Sequence, residues 1–294
     1  MDEQEWLAER FEAKRAYLRA VAYRMLGSLS EADDAVQEAW LRLSRSDASD
    51  IENLGGWLTT VVARVSLDML RSRKSRRELP LDATTHEPVV SRQEGIDPER
   101  EEVLADSVGL ALLVVLEKLS PAERLAFVLH DLFAMPFDEI APIVGRTEVA
   151  TRQLASRARR RVHGAPAIPG ADPTRQREII EAFLVASRRG DFEALLAVLD
   201  PGVVVRADRA AVPHGAAREI RGAPDVAEQA LIFSRRARFA QLALVDGSPG
   251  VIVAPRGRLM MILAFKFTGK MITEVDIIAE PARLRRIDLA VLDG

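Results

Sequence analysis

The sequence contains no cysteine among its 294 residues. Disulfide frameworks, thiolate metal sites and cysteine nucleophiles are therefore excluded. The four histidines, His86, His130, His163 and His214, lie far apart and show none of the paired spacings that zinc sites use. We therefore expect neither a metal nor any other cofactor.

Long apolar runs are also absent, because no stretch approaches the roughly 20 apolar residues that a membrane span needs. The acidic start, residues 1–7, lacks the basic and apolar parts of a secretion signal. We expect a cytoplasmic protein without membrane contact. The net charge is only −3, so any DNA binding must come from local patches. Basic residues are concentrated at 71–77 and 152–161.

Apolar residues at helical spacing predict an all-helical module over residues 1–78. It is broken at Gly27-Ser28, with Ser30 expected to cap the next helix, and by a polar loop over 44–56. Residues 79–98 contain prolines and little periodicity, which predicts a linker. A second helical module is expected over 99–163, where Ser120-Pro121-Ala122-Glu123 carries the signals of a helix start.

The second module contains a predicted helix-turn-helix over residues 137–163. Gly145 supplies the turn and Thr147 caps the second helix, which is expected to bury Val149, Ala150 and Leu154. Its other face carries polar and basic side chains that suit base edges and phosphates in a major groove. These candidates are Thr147, Thr151, Arg152, Gln153, Ser156, Arg157, Arg159 and Arg160. A merely solvated amphipathic helix is the alternative, and the coincidence of cap, turn glycine and basic face argues against it.

The pattern changes after a second linker at 164–173. Two helical segments, 174–189 and 192–199, precede alternating apolar residues that are typical of strands. The strands are expected at 203–206, 240–245, 251–254, 259–267 and 272–278. Residues 174–294 are therefore predicted to form an α+β domain with a curved antiparallel sheet.

The first module combines an acidic helix with a later basic one. Asp34, Glu38 and Arg42 share an exposed stripe by their spacing of four, and Gly56-Trp57-Leu58-Thr59-Thr60 leads towards the basic end at 68–77. In this order, and followed by the helix-turn-helix, the chain resembles the extracytoplasmic-function (ECF) sigma factors of bacterial RNA polymerase. The resemblance covers nearly the whole chain.

The resemblance implies an alternative sigma factor that is not an enzyme. Such a protein binds core RNA polymerase and directs it to promoter DNA. The polymerase-binding residues would be Asp33, Asp34, Gln37, Glu38, Trp40 and Leu41. The melted minus-ten strand would be bound by Asn53, Trp57, Arg64, Arg71, Arg73, Lys74, Arg76 and Arg77. The helix-turn-helix would read the minus-35 duplex, with Arg152, Gln153 and Arg157 contacting bases.

Residues from about Thr174 onward resemble a SnoaL-like domain, a cone-shaped α+β fold that is fused to certain ECF sigma factors. The residues that carry this resemblance are 190–201 and 245–250. Enzymes of this fold use an Asp, His or Tyr inside the cone, but Asp208 and His214 form no acid/base pair of convincing spacing. We expect the domain to contact the sigma modules or the linker and to modulate activity. The alternative is a passive cone filled with Leu, Ile and Phe side chains.

Two other functions stay open at this stage. A helix-turn-helix regulator with a ligand-sensing SnoaL-like domain would have no polymerase role, and it does not explain the acidic helix or the segment 57–77. A SnoaL-type isomerase or hydrolase with attached DNA-binding helices would need a defined polar pair in the cone.

Overall fold

The computed structural model describes residues 3–46, 51–78, 109–164, 172–212, 218–232 and 239–292. Contacts divide the chain into two compact units, one of residues 1–108 and 116–159 and the other of residues 109–115 and 160–294. The predicted linker at 79–98 lies outside the described residues. Within the described ranges, no helix is both long enough and apolar enough to cross a membrane.

Three helices open the first unit: α1 (Glu3–Leu26), α2 (Leu29–Leu43) and α3 (Leu54–Glu78). Gly27 adopts a left-handed conformation with φ of +71°, which ends α1. Ser28, rather than the predicted Ser30, caps α2, and its hydroxyl accepts the Glu31 N–H. The three helices bury a shared set of large side chains: Phe11, Leu18, Tyr23, Leu26, Leu29, Leu43, Leu58, Val62 and Leu67.

The next described α-helices are α4 (Leu110–Glu117), α5 (Pro121–Phe127), α6 (Phe137–Val144) and α7 (Glu148–His163). The predicted capping box is confirmed, because the Ser120 hydroxyl accepts the Glu123 N–H and the Glu123 carboxylate accepts the Ser120 N–H. A π-helical turn, Val128–Leu132, continues α5. Gly145 ends α6 with φ of +72°, and its N–H donates to the Ala141 carbonyl. The helix-turn-helix is therefore present where the sequence predicts it.

The described part of the second unit contains a seven-stranded sheet and four further α-helices. In chain order these are α8 (Pro173–Arg189), α9 (Phe192–Leu196), β1 (Leu199–Ala207), β2 (Arg218–Arg221), α10 (Ala223–Ile232), β3 (Ala240–Val245), β4 (Ser248–Val253), β5 (Met261–Thr268), β6 (Met271–Ile278), α11 (Pro281–Leu284) and β7 (Leu289–Ala290). The strand order is β2-β1-β6-β5-β4-β3-β7. The α+β prediction is confirmed.

One strand pair departs from the predicted antiparallel sheet. β1 and β6 run parallel, with Val205 opposite Val275, whereas the other described pairs are antiparallel. Strands joined by a hairpin must be antiparallel, but β1 and β6 are separated by β2, α10, β3, β4 and β5 and are free to pair in either direction. Register shifts at Leu199/Val204 and Lys266/Phe267 interrupt the ladders, and such irregularities bend a sheet.

The second unit also includes the start of α4 and the end of α7. The Ala111 N–H donates to Oε1 of Gln241 on β3 over 3.0 Å. The Val291 N–H donates to the Val162 carbonyl over 2.6 Å. Gly257 lies so close to Leu113 that an added Cβ would be 3.2 Å from its Cδ1 atom. These two helix ends therefore share hydrogen bonds and packing with the sheet.

Candidate nucleic-acid and polymerase interfaces

The second helix of the helix-turn-helix, α7, buries a stripe of small residues. Thr151, Ala155, Ala158 and Val162 are at most 2% exposed, and their spacing of four, three and four places them on one face. The predicted buried face is wrong: Val149 is 67% exposed, while Ala150 and Leu154 are half-buried. Ala155 and Ala158 form the buried face in place of the predicted residues.

This burial corrects one predicted DNA contact. Thr151 is fully buried and its hydroxyl donates to the Thr147 carbonyl over 3.0 Å, so it cannot reach a phosphate. Thr147 stays exposed, and its hydroxyl accepts the Ala150 N–H over 3.3 Å. The predicted capping role of Thr147 is therefore confirmed.

Six exposed side chains line the opposite side of α7, and we call this set the reader face. Successive members are three or one residue apart, which gives the i, i+3, i+4 pattern of a single helix face. The reader face comprises Val149, Arg152, Gln153, Ser156, Arg157 and Arg160. Val149 is the member that sequence reasoning missed, and the signal that could have found it was the i, i+4 spacing to Gln153.

Carboxylate partners are described for Arg152, Arg157 and Arg159 of α7. Arg152 pairs with Glu148 on its own helix, and its guanidinium carbon lies 5.5 Å from the centre of the Phe137 ring. Arg157 Nε is 3.4 Å from Oε1 of Glu123. Arg159, which is half-buried and lies off the reader face, has its Nε 2.6 Å from Oδ1 of Asp131. The last two pairs connect α7 to α5 and to the π-helical turn.

The predicted minus-ten residues on α3 share a face where their side chains are described. Trp57, Arg64 and Arg71 are seven residues apart; Trp57 is half-buried and both arginines are exposed. Asn53 caps α3, because its Oδ1 accepts the Gly56 N–H over 3.0 Å. We call Asn53, Trp57, Arg64 and Arg71 the α3 face. The side chains of Lys74, Arg76 and Arg77 lie outside the described residues.

Arg73, predicted to bind the minus-ten strand, instead contacts other residues of the protein. Its Nε donates to Oε1 of Glu31 over 3.0 Å, and its Nη atoms donate to the Leu26 carbonyl over 3.3 and 3.4 Å. The half-buried guanidinium thus connects α3 to the junction of α1 and α2. Because these protein groups occupy its donors, Arg73 is a weaker candidate for DNA binding than the exposed arginines.

The predicted polymerase-binding residues divide into two groups on α2. Asp34, Gln37 and Leu41 are exposed and Glu38 is half-buried, and we call these four residues the acidic face. Trp40 instead packs on Phe11, with ring centroids 5.0 Å apart. Asp33 is exposed, and its Oδ2 accepts a hydrogen bond from Nη2 of Arg19 over 2.9 Å. Glu38 pairs with Arg42 over 2.9 Å.

The two helical modules meet inside the first unit. Nε of Arg124 on α5 donates to the Arg24 carbonyl over 3.0 Å. Arg124 is only 3% exposed, and this burial lowers the pKa of its guanidinium to about 10. A pocket of about 270 Å³ has Asn53 and Gly55 in one wall and Pro136 and Glu139 in the other. The start of the α3 face therefore lies beside the start of the helix-turn-helix.

The sheet domain offers no catalytic pair in the part of the chain that the structure describes. Asp208 accepts the N–H groups of Ala211, Ala279 and Glu280 over 3.0 to 3.1 Å, with Arg283 3.6 Å away. This carboxylate connects chain segments. His214 lies outside the described residues. Among the described residues, no three His, Cys, Asp or Glu side chains converge to hold a metal.

Comparisons with known proteins agree with this geometry. The models of Sigma-70 region 2 and Sigma-70 region 4 match residues 11–76 and 109–162. The probable ECF RNA polymerase sigma factor SigI of Mycobacterium tuberculosis is 35% identical over 286 residues, 97% of each chain. The chain belongs to the ECF RNA polymerase sigma factors. The resemblance found in the sequence is thereby confirmed.

One further relative is similar to this sigma factor in both sequence and structure. The ECF RNA polymerase sigma factor SigJ of Mycobacterium tuberculosis is 42% identical over 250 residues, which is 83% of this chain and 80% of that protein. The crystal structure of the same organism's SigJ covers 94% of this chain and 97% of its own at 36% identity, with a TM-score of 0.46. The α3 face lies within the region 2 match and the reader face within the region 4 match.

Proposed function

We propose that this ECF sigma factor binds core RNA polymerase through the acidic face of α2 and directs it to promoters that it reads at two places. The reader face of α7 binds the minus-35 duplex, and the α3 face binds the melted minus-ten strand. The observation that carries the proposal is the reader face itself, which directly follows the Gly145 turn. Such a factor acts on chromosomal promoters, which places it in the cytoplasm.

The reader face has the chemistry of a major-groove surface. Arg152 and Arg157 can donate two hydrogen bonds to a guanine edge, and Gln153 can bond an adenine in the same bidentate manner. The side chains at the start of a recognition helix are the ones that contact bases. Val149 and Arg152 occupy that start. Ser156 and Arg160 lie further along, where they suit phosphates.

The α3 face suits a single strand better than a duplex. Trp57 offers an aromatic ring on which an unpaired base can stack, and Arg64 and Arg71 continue along the same side of the helix as a cationic track. Among the described residues Arg64 has no ion-pair partner, and Arg71 has only Asp68 at 3.6 Å. Both guanidinium groups are available to phosphates.

The C-terminal domain is proposed to modulate this activity through the ends of the region 4 helices. Support comes from the hydrogen bonds that join Ala111 to Gln241 and Val162 to Val291. Replacing Gln241 with Ala in the full chain removes one of them and should change the affinity for core polymerase. An affinity and promoter activity identical to those of the unchanged chain would contradict this role.

Transcription with purified components tests the main proposal. Core RNA polymerase, genomic DNA fragments and this protein should yield transcripts whose upstream sequences share one minus-35 and one minus-ten element. The same protein should co-migrate with core polymerase in the absence of DNA. Duplex binding without co-migration would instead indicate a helix-turn-helix regulator that has no polymerase role.

A further inference from the structure

The sheet domain of the second unit encloses a cavity of about 380 Å³. Side chains of α8, α10 and six of the strands form its wall, among them Phe183, Val226, Val251, Met261 and Val275. The volume falls within the range of small-molecule sites, roughly 300–1,000 Å³. The side chains of the wall surround this space, which is partly open to solvent.

An apolar space of this size favours an apolar occupant. Protein interiors are packed as densely as organic crystals, and atoms that line a void lose their dispersion contacts on that side. The described lining residues include no Asp, Glu, His, Tyr or Cys. The described part of the wall therefore holds no pair of groups for general acid/base catalysis, and its composition suits binding without reaction.

Two polar side chains mark one part of the wall. Arg218 at the start of β2 is exposed, Gln229 on α10 is half-buried, and both line the cavity. Neither side chain has a hydrogen bond or ion pair with another described residue. Ser187 also lines it, but its hydroxyl already donates to the Phe183 carbonyl over 2.8 Å. The cavity thus offers one cation and one amide beside an apolar interior.

Strand alternation explains why Arg218 has no carboxylate partner among the described residues. Successive side chains of a strand point to opposite faces, so Arg218 and Ile220 line the cavity while Glu219 and Arg221 lie on the other side. There Arg221 pairs with Glu219, and Glu219 also accepts from Arg206. The carboxylates of this region are engaged outside the cavity, and Arg218 is left to pair with something else.

We propose that the cavity binds a small amphipathic molecule with an apolar body and an anionic head group, and that Arg218 pairs with the head group. The apolar wall accommodates the body, and Gln229 offers a further hydrogen bond to the head. A charge-assisted pair with a guanidinium is about twice as strong as a neutral hydrogen bond. The site therefore distinguishes an acid from the alcohol of the same chain length.

Calorimetric titration of the full chain with decanoate and with 1-decanol tests the proposal. Decanoate should bind more tightly than 1-decanol. Arg218→Gln should weaken decanoate binding roughly tenfold and leave 1-decanol unchanged, a change equivalent to the loss of one good ionic contact. Arg221→Gln is the matched control, because it removes an arginine from the same strand on the opposite face, and it should change neither affinity.

A second variant tests the location of the apolar body. Ala230 on α10 lines the cavity and is half-buried, so Ala230→Phe should fill space and weaken the binding of both probes. Circular dichroism and a thermal melt establish whether each variant is folded. If Ala230→Phe does not fold, Arg218→Gln and Arg221→Gln test the proposal without it. Absence of decanoate binding, or equal effects of Arg218→Gln and Arg221→Gln, would overturn the proposal.

Discussion

The ring of Tyr17 on α1 meets the ring of Phe133 edge to face, with centroids 5.3 Å apart. Phe133 lies in the turn before α6, and the Arg24 guanidinium carbon is 5.2 Å from its ring centre. These contacts and the Arg124 hydrogen bond hold the two DNA-reading modules together. Elements at minus 10 and minus 35 lie about 25 base pairs apart, or roughly 85 Å along B-DNA. We therefore expect these contacts to open when both elements are bound.

Weakening the Tyr17–Phe133 contact should favour the open form. An aromatic pair contributes about 0.5–1.5 kcal/mol beyond its buried area, so Phe133→Ala should raise the affinity of the sigma factor for promoter-bound polymerase by roughly two- to tenfold. Fluorescence anisotropy with labelled promoter DNA measures this change. Tyr17→Phe keeps the ring and should leave the affinity unchanged. A lower affinity for Phe133→Ala would show that the contact does not compete with promoter binding.

Arg152→Ala should weaken promoter binding without affecting polymerase binding. The loss of a bidentate base contact costs roughly 1–3 kcal/mol, and the exposed partner Glu148 is not left buried. Competition binding with the assembled holoenzyme measures the loss, and co-migration measures polymerase binding. Arg189→Ala, which removes an exposed arginine at the end of α8, is the control. Reduced polymerase binding for Arg152→Ala would show that α7 has another role.

Val149 should contact the methyl group of a thymine. Apolar side chains in the major groove recognise this group, and the removal of buried methyls costs about 1 kcal/mol. Val149→Ala should therefore weaken holoenzyme binding to the minus-35 duplex by roughly fivefold, and replacement of the contacted thymine by deoxyuridine should abolish the difference. An equal loss on both duplexes would contradict the contact.

The same substitution at Val149 and at Val162 should affect protein stability differently, because only Val149 is exposed. Val162 is 2% exposed, so Val162→Ala should lower the melting temperature, whereas Val149→Ala should leave it unchanged. Truncation of a buried side chain leaves a cavity and loses packing contacts. A marked drop in melting temperature for Val149→Ala would place that residue in the core, as the sequence predicted.

Local signals made part of the fold predictable. The Ser120 cap with Glu123 and the Gly145 turn depend on residues within four positions of each other, and both are present as expected. The local sequence did not predict which face of α7 is buried. Val149 and Ala155 are both apolar, and their spacing alone does not show which of them packs against the rest of the protein. What decided it was packing against neighbours that local spacing does not reveal.

Contacts between residues that are distant in the sequence determine the features that local signals did not predict. Arg73 and Glu31 are 42 positions apart, so a cluster of basic residues gave no sign that this one is engaged internally. The parallel pairing of β1 with β6 and the cavity beneath Arg218 likewise arise from elements distant in sequence. Residue spacing predicted the candidate faces. It did not predict which side chains of each face are exposed and free to bind a partner.

Arg64 and Arg73 should respond differently to the same substitution. Arg64 is exposed on the α3 face, so Arg64→Ala should reduce the permanganate reactivity of the melted minus-ten region and leave protein stability unchanged. Arg73 donates to a carboxylate and a carbonyl, so Arg73→Ala should lower the free energy of unfolding by about 1–2 kcal/mol. Urea denaturation measures the stability of both variants.

Glu31→Gln provides the control for Arg73, because it removes the charge of the partner and keeps its shape. The double variant should be little less stable than Arg73→Ala alone, since both changes break one contact. Promoter melting by the folded fraction should stay normal in both. Arg73→Ala could instead reduce promoter melting as strongly as Arg64→Ala while Glu31→Gln leaves it normal. Arg73 would then belong to the DNA-binding surface, and its contact with Glu31 would not determine its role.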